Sequence, residues 1–147
     1  PPAIGMFENS AIRPETMLES LIDTAVEQQM FVLLEAFDEV DIALAHELVG
    51  QRAASRALLM VGVNCRDLAT LQVVPGRLEQ LASSLPTTVA RVAESGVGNA
   101  EDAARVAAVG YDLALVGSAL MSGPDPQALA AAMLTAARAA RVGCRGE

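Results

Sequence analysis

The sequence predicts an α/β fold of four consecutive βα units on a parallel sheet, one half of a TIM-type (β/α) barrel. Three observations predict it. Short apolar runs begin at positions 31, 57, 88 and 112, spaced 26, 31 and 24 residues apart. Segments of helical period lie between them, the rhythm of parallel strands joined by right-handed crossovers. Each run then turns polar at its C-terminal end, at Glu35, Asn64, Glu94 and Ser118, and in a parallel barrel those ends converge on one face. Finally, ESGVG at 94–98 and VGSALM at 116–121 close two successive strands with small, hydrogen-bonding residues. Periodicity alone equally permits a small open, doubly wound sheet. The strand ends are the better guide.

Taken in order, residues 1–13 hold Pro1, Pro2 and Gly5 and read as irregular. From Pro14 to Met30, Leu18, Leu21, Ile22, Ala25 and Val26 recur on one helical face, with proline suited to the first turn. FVLLEA at 31–36 is a continuous apolar run, the pattern of a strand covered on both faces. Asp38 caps a second helix whose apolar positions are Val40, Ala43, Leu44 and Leu48. ALLMVGVN at 57–64 is the second strand, and Leu78, Leu81, Ala82 and Leu85 mark a helix that Pro86 ends. TVARVAE at 88–94 is the third strand; Asn99, Glu101 and Asp102 open a helix that Gly110 closes. DLALVG at 112–117 is the fourth strand, and Pro126 begins a last helix through Leu129, Met133 and Ala136, leaving 142–147 as a frayed tail. The whole chain of 147 residues is thus one half-barrel domain.

Composition narrows the function. Apolar residues are 52% and aromatics 3%, so the core is aliphatic and its alanines let helices approach strands closely. A net charge of −8 disfavours nucleic acid and anionic membranes as partners. No apolar run nears the ~20 residues a bilayer span needs, and none has the pattern of a secretory signal. Cys65 and Cys144 form neither a disulfide framework nor a zinc site, which fits a reducing cytoplasm. No metal or cofactor motif is present. All ten basic residues are arginine; the sequence has no lysine.

The polar strand ends are the candidate site. Glu35 follows FVLL and reads either as a general acid or base among apolar walls or as a strand-exit carboxylate paired with a neighbour. Asn64 is an amide that either positions a ligand or satisfies loop backbone. Arg66 is suited to a carboxylate, or else belongs to a solvated loop with Asp67. Glycines 96 and 98 leave amides for an anion beside Glu94 and Ser95, and Gly117 with Ser118 repeats the arrangement one strand later, where a following helix N-terminus would add its positive end. His46 lies within a helix, and Cys65 reads as a packed small side chain. Asp38, Glu39 and Asp41 read as helix-start carboxylates, not metal ligands.

With these residues in view, the chain resembles the C-terminal half of indole-3-glycerol phosphate synthase, a barrel lyase of tryptophan biosynthesis, from about Leu33 to about Met121. LLEAF at 33–37 resembles the fifth-strand motif, which implies an acid/base role for Glu35. GVNCRDL at 62–68 resembles the sixth-strand motif and is the most specific match; it implies substrate contacts at Asn64 and Arg66. ESGVG resembles the seventh-strand motif, which implies Glu94 in the active site and phosphate on Ser95 and Gly96. VGSALM resembles the eighth-strand loop, which implies phosphate on Gly117 and Ser118, with Leu115 beside the substrate. The resemblance implies catalytic roles for Glu35, Asn64 and Glu94 in a carboxy-lyase.

There are departures. The family draws two catalytic lysines and a glutamate from its first and third strands, of which this chain has no counterpart, and Phe37 stands where a histidine is common. Arginine does not replace a lysine acid, because it stays protonated. A non-catalytic binder of phosphorylated metabolites, or an assembly protein, therefore stands as the second reading. Four strands also leave two open edges. An inner face of Val32, Leu34, Leu58, Met60, Val89 and Leu113 is expected to be covered by a second copy closing the barrel or by a complementary N-terminal half.

Overall fold

The computed structural model describes residues 14–143. Four strands, β1 (Val32–Ala36), β2 (Leu59–Asn64), β3 (Ala90–Glu94) and β4 (Leu113–Leu115), form one parallel sheet in the order β1-β2-β3-β4. Sequential order with right-handed crossovers puts every connecting helix on the same face. A doubly wound sheet would reverse its strand order part-way, and this one does not. The architecture is four βα units of a (β/α) barrel.

Six helices accompany the strands: α1 (Pro14–Glu27), α2 (Glu39–Gln51), α3 (Arg77–Ala82), α4 (Ala100–Ala108), α5 (Ser118–Ser122) and α6 (Pro126–Gly143). Asp38 caps α2 by accepting from the amides of Val40 and Asp41, and Asp41 Oδ2 accepts from the Phe37 amide at 2.8 Å. Asn99 caps α4 by accepting from the Asp102 amide at 2.9 Å. These carboxylates and amides satisfy donors that a helix start leaves orphaned.

The boundaries differ from the sequence pattern in instructive ways. Ala57 and Leu58 belong to a 3₁₀ turn over Ala53–Leu58, so β2 starts at Leu59. β3 starts at Ala90 and β4 has only three residues, leaving Val116 and Gly117 beyond it. A one-turn helix, α5, occupies what reads in sequence as loop. Val142 and Gly143 continue α6 instead of fraying; the rest of that tail and the segment 1–13 lie outside the described residues. On α2 the buried stripe is Ile42, Ala45, Leu48 and Val49, while Val40 is 76% exposed. The stripe is rotated because α2 must present its face to β1, not merely keep helical period.

Parallel register fixes which side chains share a face. Val32, Leu34 and Ala36 of β1, Leu59, Val61 and Val63 of β2, and Ala93 of β3 are buried in one cluster with Ile22, Ile42, Leu48, Leu78 and Leu81 of the helices. The alternate residues, Leu33, Glu35, Met60, Gly62, Asn64, Glu94, Leu113 and Leu115, point to the other, inner face. The expected inner face is therefore corrected. Val32 and Leu34 lie under helices, Leu58 is outside the strand, and Val89 is buried just before β3; only Met60 and Leu113 belong to it. An apolar run has no alternation to set its phase, so one position of offset turns every side chain over.

Below the site, at the N-terminal ends of the strands, Asp112 accepts from the Arg91 amide at 2.9 Å and pairs with the Arg141 guanidinium. Burial works against its charge, yet those two donors hold the Asp112 carboxyl below its ordinary range. The buried Tyr111 hydroxyl donates to Leu78 O at 2.8 Å and ties β4 to α3.

Candidate active site and phosphate cleft

The register that buries the core also assembles the strand ends. Asn64, Glu94 and Leu115 are direct partners across β2, β3 and β4. Glu35 sits one row below, opposite Gly62. Parallel strands bring residues far apart in sequence to one inner row, which is how four separate motifs become a site.

Glu35 is exposed and accepts from Asn64 Nδ2 at 2.5 Å. It meets an amide, not the salt-bridge partner of the simpler expectation. Asn64 is fully engaged: its Oδ1 accepts from the Arg66 amide at 2.9 Å, and its carbonyl accepts from Arg77 Nη1 at 3.2 Å. The amide is thereby oriented toward Glu35 by its own backbone turn.

Glu94 differs in kind. It is 7% exposed, and its Oε1 is buried with no hydrogen-bond partner among the described residues. Burial first, and the Glu35 carboxylate second, push it from the usual 4.5 up to about 7. A buried unpaired carboxylate is costly when charged, and this shift expresses that cost. Gly62 makes the position possible, since a Cβ there would stand 2.0 Å from Glu94 Oε1. Sequence reasoning passed over Gly62; its signal is a glycine inside an otherwise aliphatic strand.

Beyond Glu94 the backbone turns sharply. Ser95 and Gly96 both have left-handed φ, +64° and +67°. That is a strained choice for serine and an easy one for glycine. A Cβ on Gly96 would also press Cys65 Sγ at 2.6 Å. Cys65 is buried as a packed side chain, and burial raises its thiol above the ordinary value.

Arg66, Glu94, Ser95, Gly96, Leu115, Gly117 and Ser118 line one cleft of about 470 Å³ with Val97 and Val116. Among the described residues, the amides of Gly96, Gly117 and Ser118 donate none of the loop, turn or cap hydrogen bonds. Gly98 is a correction. Its amide donates to Asp102 Oδ2 at 3.0 Å, so it caps α4 and does not face the cleft. The α4 start carries Glu101 and Asp102, and α5 is a single turn, so neither helix end supplies the strong positive dipole expected.

The loop after β2 is self-braced. Asp67 Oδ1 accepts from the Ala69 and Thr70 amides, and Arg66 Nη1 donates to Leu71 O at 2.6 Å. His46 is exposed and its Nε2 lies 2.9 Å from Ser84 O, apart from the site. Among the described residues no cluster of three or more His, Cys, Asp or Glu could hold a metal ion, and no helix is long and apolar enough to cross a membrane.

The family profile for indole-3-glycerol phosphate synthase matches residues 10–133. The chain belongs to the indole-3-glycerol phosphate synthase family. The match reaches beyond the span of the four motifs into α1 and α6. The indole-3-glycerol phosphate synthase 1 of Streptomyces coelicolor is 37% identical over 110 residues, which cover 75% of this chain and 38% of that protein. The indole-3-glycerol phosphate synthase of Mycobacterium avium is 38% identical over 121 residues, covering 79% of this chain and 44% of that protein. The chain thus spans less than half the length of these synthases. A crystal structure of the Amycolatopsis orientalis BexX/CysO complex shares the fold, with TM-score 0.60 and 22% identity over 86% of this chain and 50% of that one.

Proposed function

We propose that this chain supplies the substrate- and phosphate-holding half of an indole-3-glycerol phosphate synthase-type barrel, a carboxy-lyase when completed. The observation that carries the reading is the single cleft shared by Glu94, Arg66 and the two loops Ser95–Gly96 and Gly117–Ser118. Gly117 is telling. Its φ of −111° suits any residue, and a Cβ there would meet nothing within 4 Å. A glycine at 117 leaves the backbone open to close approach by an anion, which supports the reading.

In this reading the Ser95, Gly96, Gly117 and Ser118 amides and hydroxyls hold the phosphate, and Arg66 faces the substrate carboxylate. Leu115 packs beside the aromatic part. Glu35, held by Asn64, exchanges protons in the dehydration that follows ring closure. The lysine acids of such a site come from outside this sequence, from an N-terminal half in the same barrel. The reaction occurs in the cytoplasm, and no cofactor takes part.

Calorimetry with inorganic phosphate is the direct test. Binding to the native chain, lost in Ser118→Asp, supports the cleft, because that carboxylate sets a like charge against the anion. Equal affinity in the two proteins would remove the cleft from the reading. A second reading is a phosphorylated-metabolite binder without chemistry, in which the cleft is kept and no outside lysine completes it. The two separate on addition of an N-terminal half from a relative: restored turnover of the anthranilate-derived carboxyphenylamino-deoxyribulose phosphate supports the lyase, and binding without turnover supports the binder.

A further inference from the structure

This inference rests on the reading of the cleft as an oxyanion site. We propose that the cleft takes up its oxyanion together with one proton, and that the Glu94 carboxyl is where the proton is held. Glu94 forms part of the cleft wall that Ser95, Gly96, Gly117 and Ser118 complete. Its Oε1 is buried over Gly62 and accepts from no described residue, so no described hydrogen bond compensates a charge on that oxygen.

The groups around it are few. Glu35 faces it from β1, Arg66 from the loop after β2, Arg77 reaches Asn64 O from α3, and the Cys65 thiol packs beneath Gly96. Burial pushes the Cys65 thiol up, away from neutrality. Burial and the Glu35 carboxylate already bring Glu94 to about 7. An anion entering the same cleft adds a further negative charge and pushes that value higher. By linkage, a protonated Glu94 then favours the anion by the same factor. The cleft thereby prefers anions below neutrality and loosens above it.

Sulfate is the probe, because unlike phosphate it does not itself titrate near pH 7. At constant ionic strength, sulfate affinity of the native chain is expected to fall about tenfold from about pH 6 to 8.5. Calorimetry in buffers of different ionisation enthalpy should report proton uptake on binding near pH 7.5. Glu94→Gln should bind sulfate with a flat pH profile and no uptake. If that variant does not fold, ¹³C-glutamate NMR of the native chain replaces it, and the Glu94 midpoint should rise on adding sulfate. Sulfate binding with no pH dependence, a slope that survives in Glu94→Gln, or an unmoved midpoint would overturn the coupling while leaving the cleft. No sulfate binding at any pH would overturn the anion cleft itself, and the coupling with it.

Discussion

The Glu94 carboxylate occupies the space where a side chain on Gly62 would be: a Cβ built on Gly62 lies 2.0 Å from Glu94 Oε1 and 3.1 Å from Leu33 Cδ1. Two residues on neighbouring strands, thirty-odd positions apart in sequence, therefore have to be chosen together. Gly62→Ala is expected to push the Glu94 carboxylate out toward solvent. The obstructing atom is the end of a flexible side chain, so stability should change by only about 1 kcal/mol. The Glu94 midpoint should fall toward the ordinary 4.5 as its burial is relieved. ¹³C-glutamate NMR with a urea titration checks both. An unmoved midpoint would show that Gly62 is not what permits the burial.

The same carboxyl shapes stability against pH. Its folded value, about 7, lies above the ordinary 4.5, so the folded protein binds that proton more tightly than the unfolded chain does. The contribution is fully present below about 4.5 and is lost as pH rises through about 7. After allowance for partial solvent access it amounts to roughly 1–3 kcal/mol. Asp112 acts oppositely: its depressed value stabilises above the ordinary carboxylate range and is lost on acidification. Urea midpoints measured across pH should decline between about 5 and 8 in the native chain and stay level in Glu94→Gln. A level native profile would remove this role from Glu94.

Gly96 carries two constraints that one substitution pair can separate. Gly96→Ala meets both the left-handed φ of +67° and Cys65 Sγ at 2.6 Å. The expected cost is about 2–4 kcal/mol. In a Cys65→Ala background the steric part vanishes, leaving about 1 kcal/mol of backbone strain. A double-mutant cycle by urea denaturation measures the difference. Full additivity would mean that the thiol is not in the way.

Assembly is expected as well. Leu113 and Leu115 are 50% and 52% exposed on the inner face, and β4 is an edge strand of the sheet among the described residues. An apolar hollow of about 500 Å³ opens beside that edge, between α4, α6 and β4. Such surface is costly in water. The isolated chain is expected to pair with a second copy, or with an N-terminal half when one is supplied. Light scattering that finds a monodisperse ~15 kDa species, stable on dilution, would refute obligate closure.

The sequence by itself determined the four βα units, the caps at Asp38 and Asn99, and the polar ends of the first three strands, Glu35, Asn64 and Glu94, whereas Ser118 opens α5 beyond β4. Those features are local: hydrophobic period, turn chemistry and capping act within a few residues and leave their mark in the order of the chain. It also carried the family, through GVNCRDL and ESGVG above all. Tertiary structure alone decided the phase of each buried strand, which moved Val32 and Leu34 from the inner face to the helix layer. A run that is apolar on every position carries no record of its orientation. Tertiary structure also separated Gly96, which faces the cleft, from Gly98, whose amide Asp102 takes. And it distinguished two glutamates that read alike in sequence. Glu35 stands exposed beside Asn64, whereas Glu94 is buried over Gly62 with an oxygen unpartnered. The difference is one of surroundings, and surroundings exist only once distant segments have packed together.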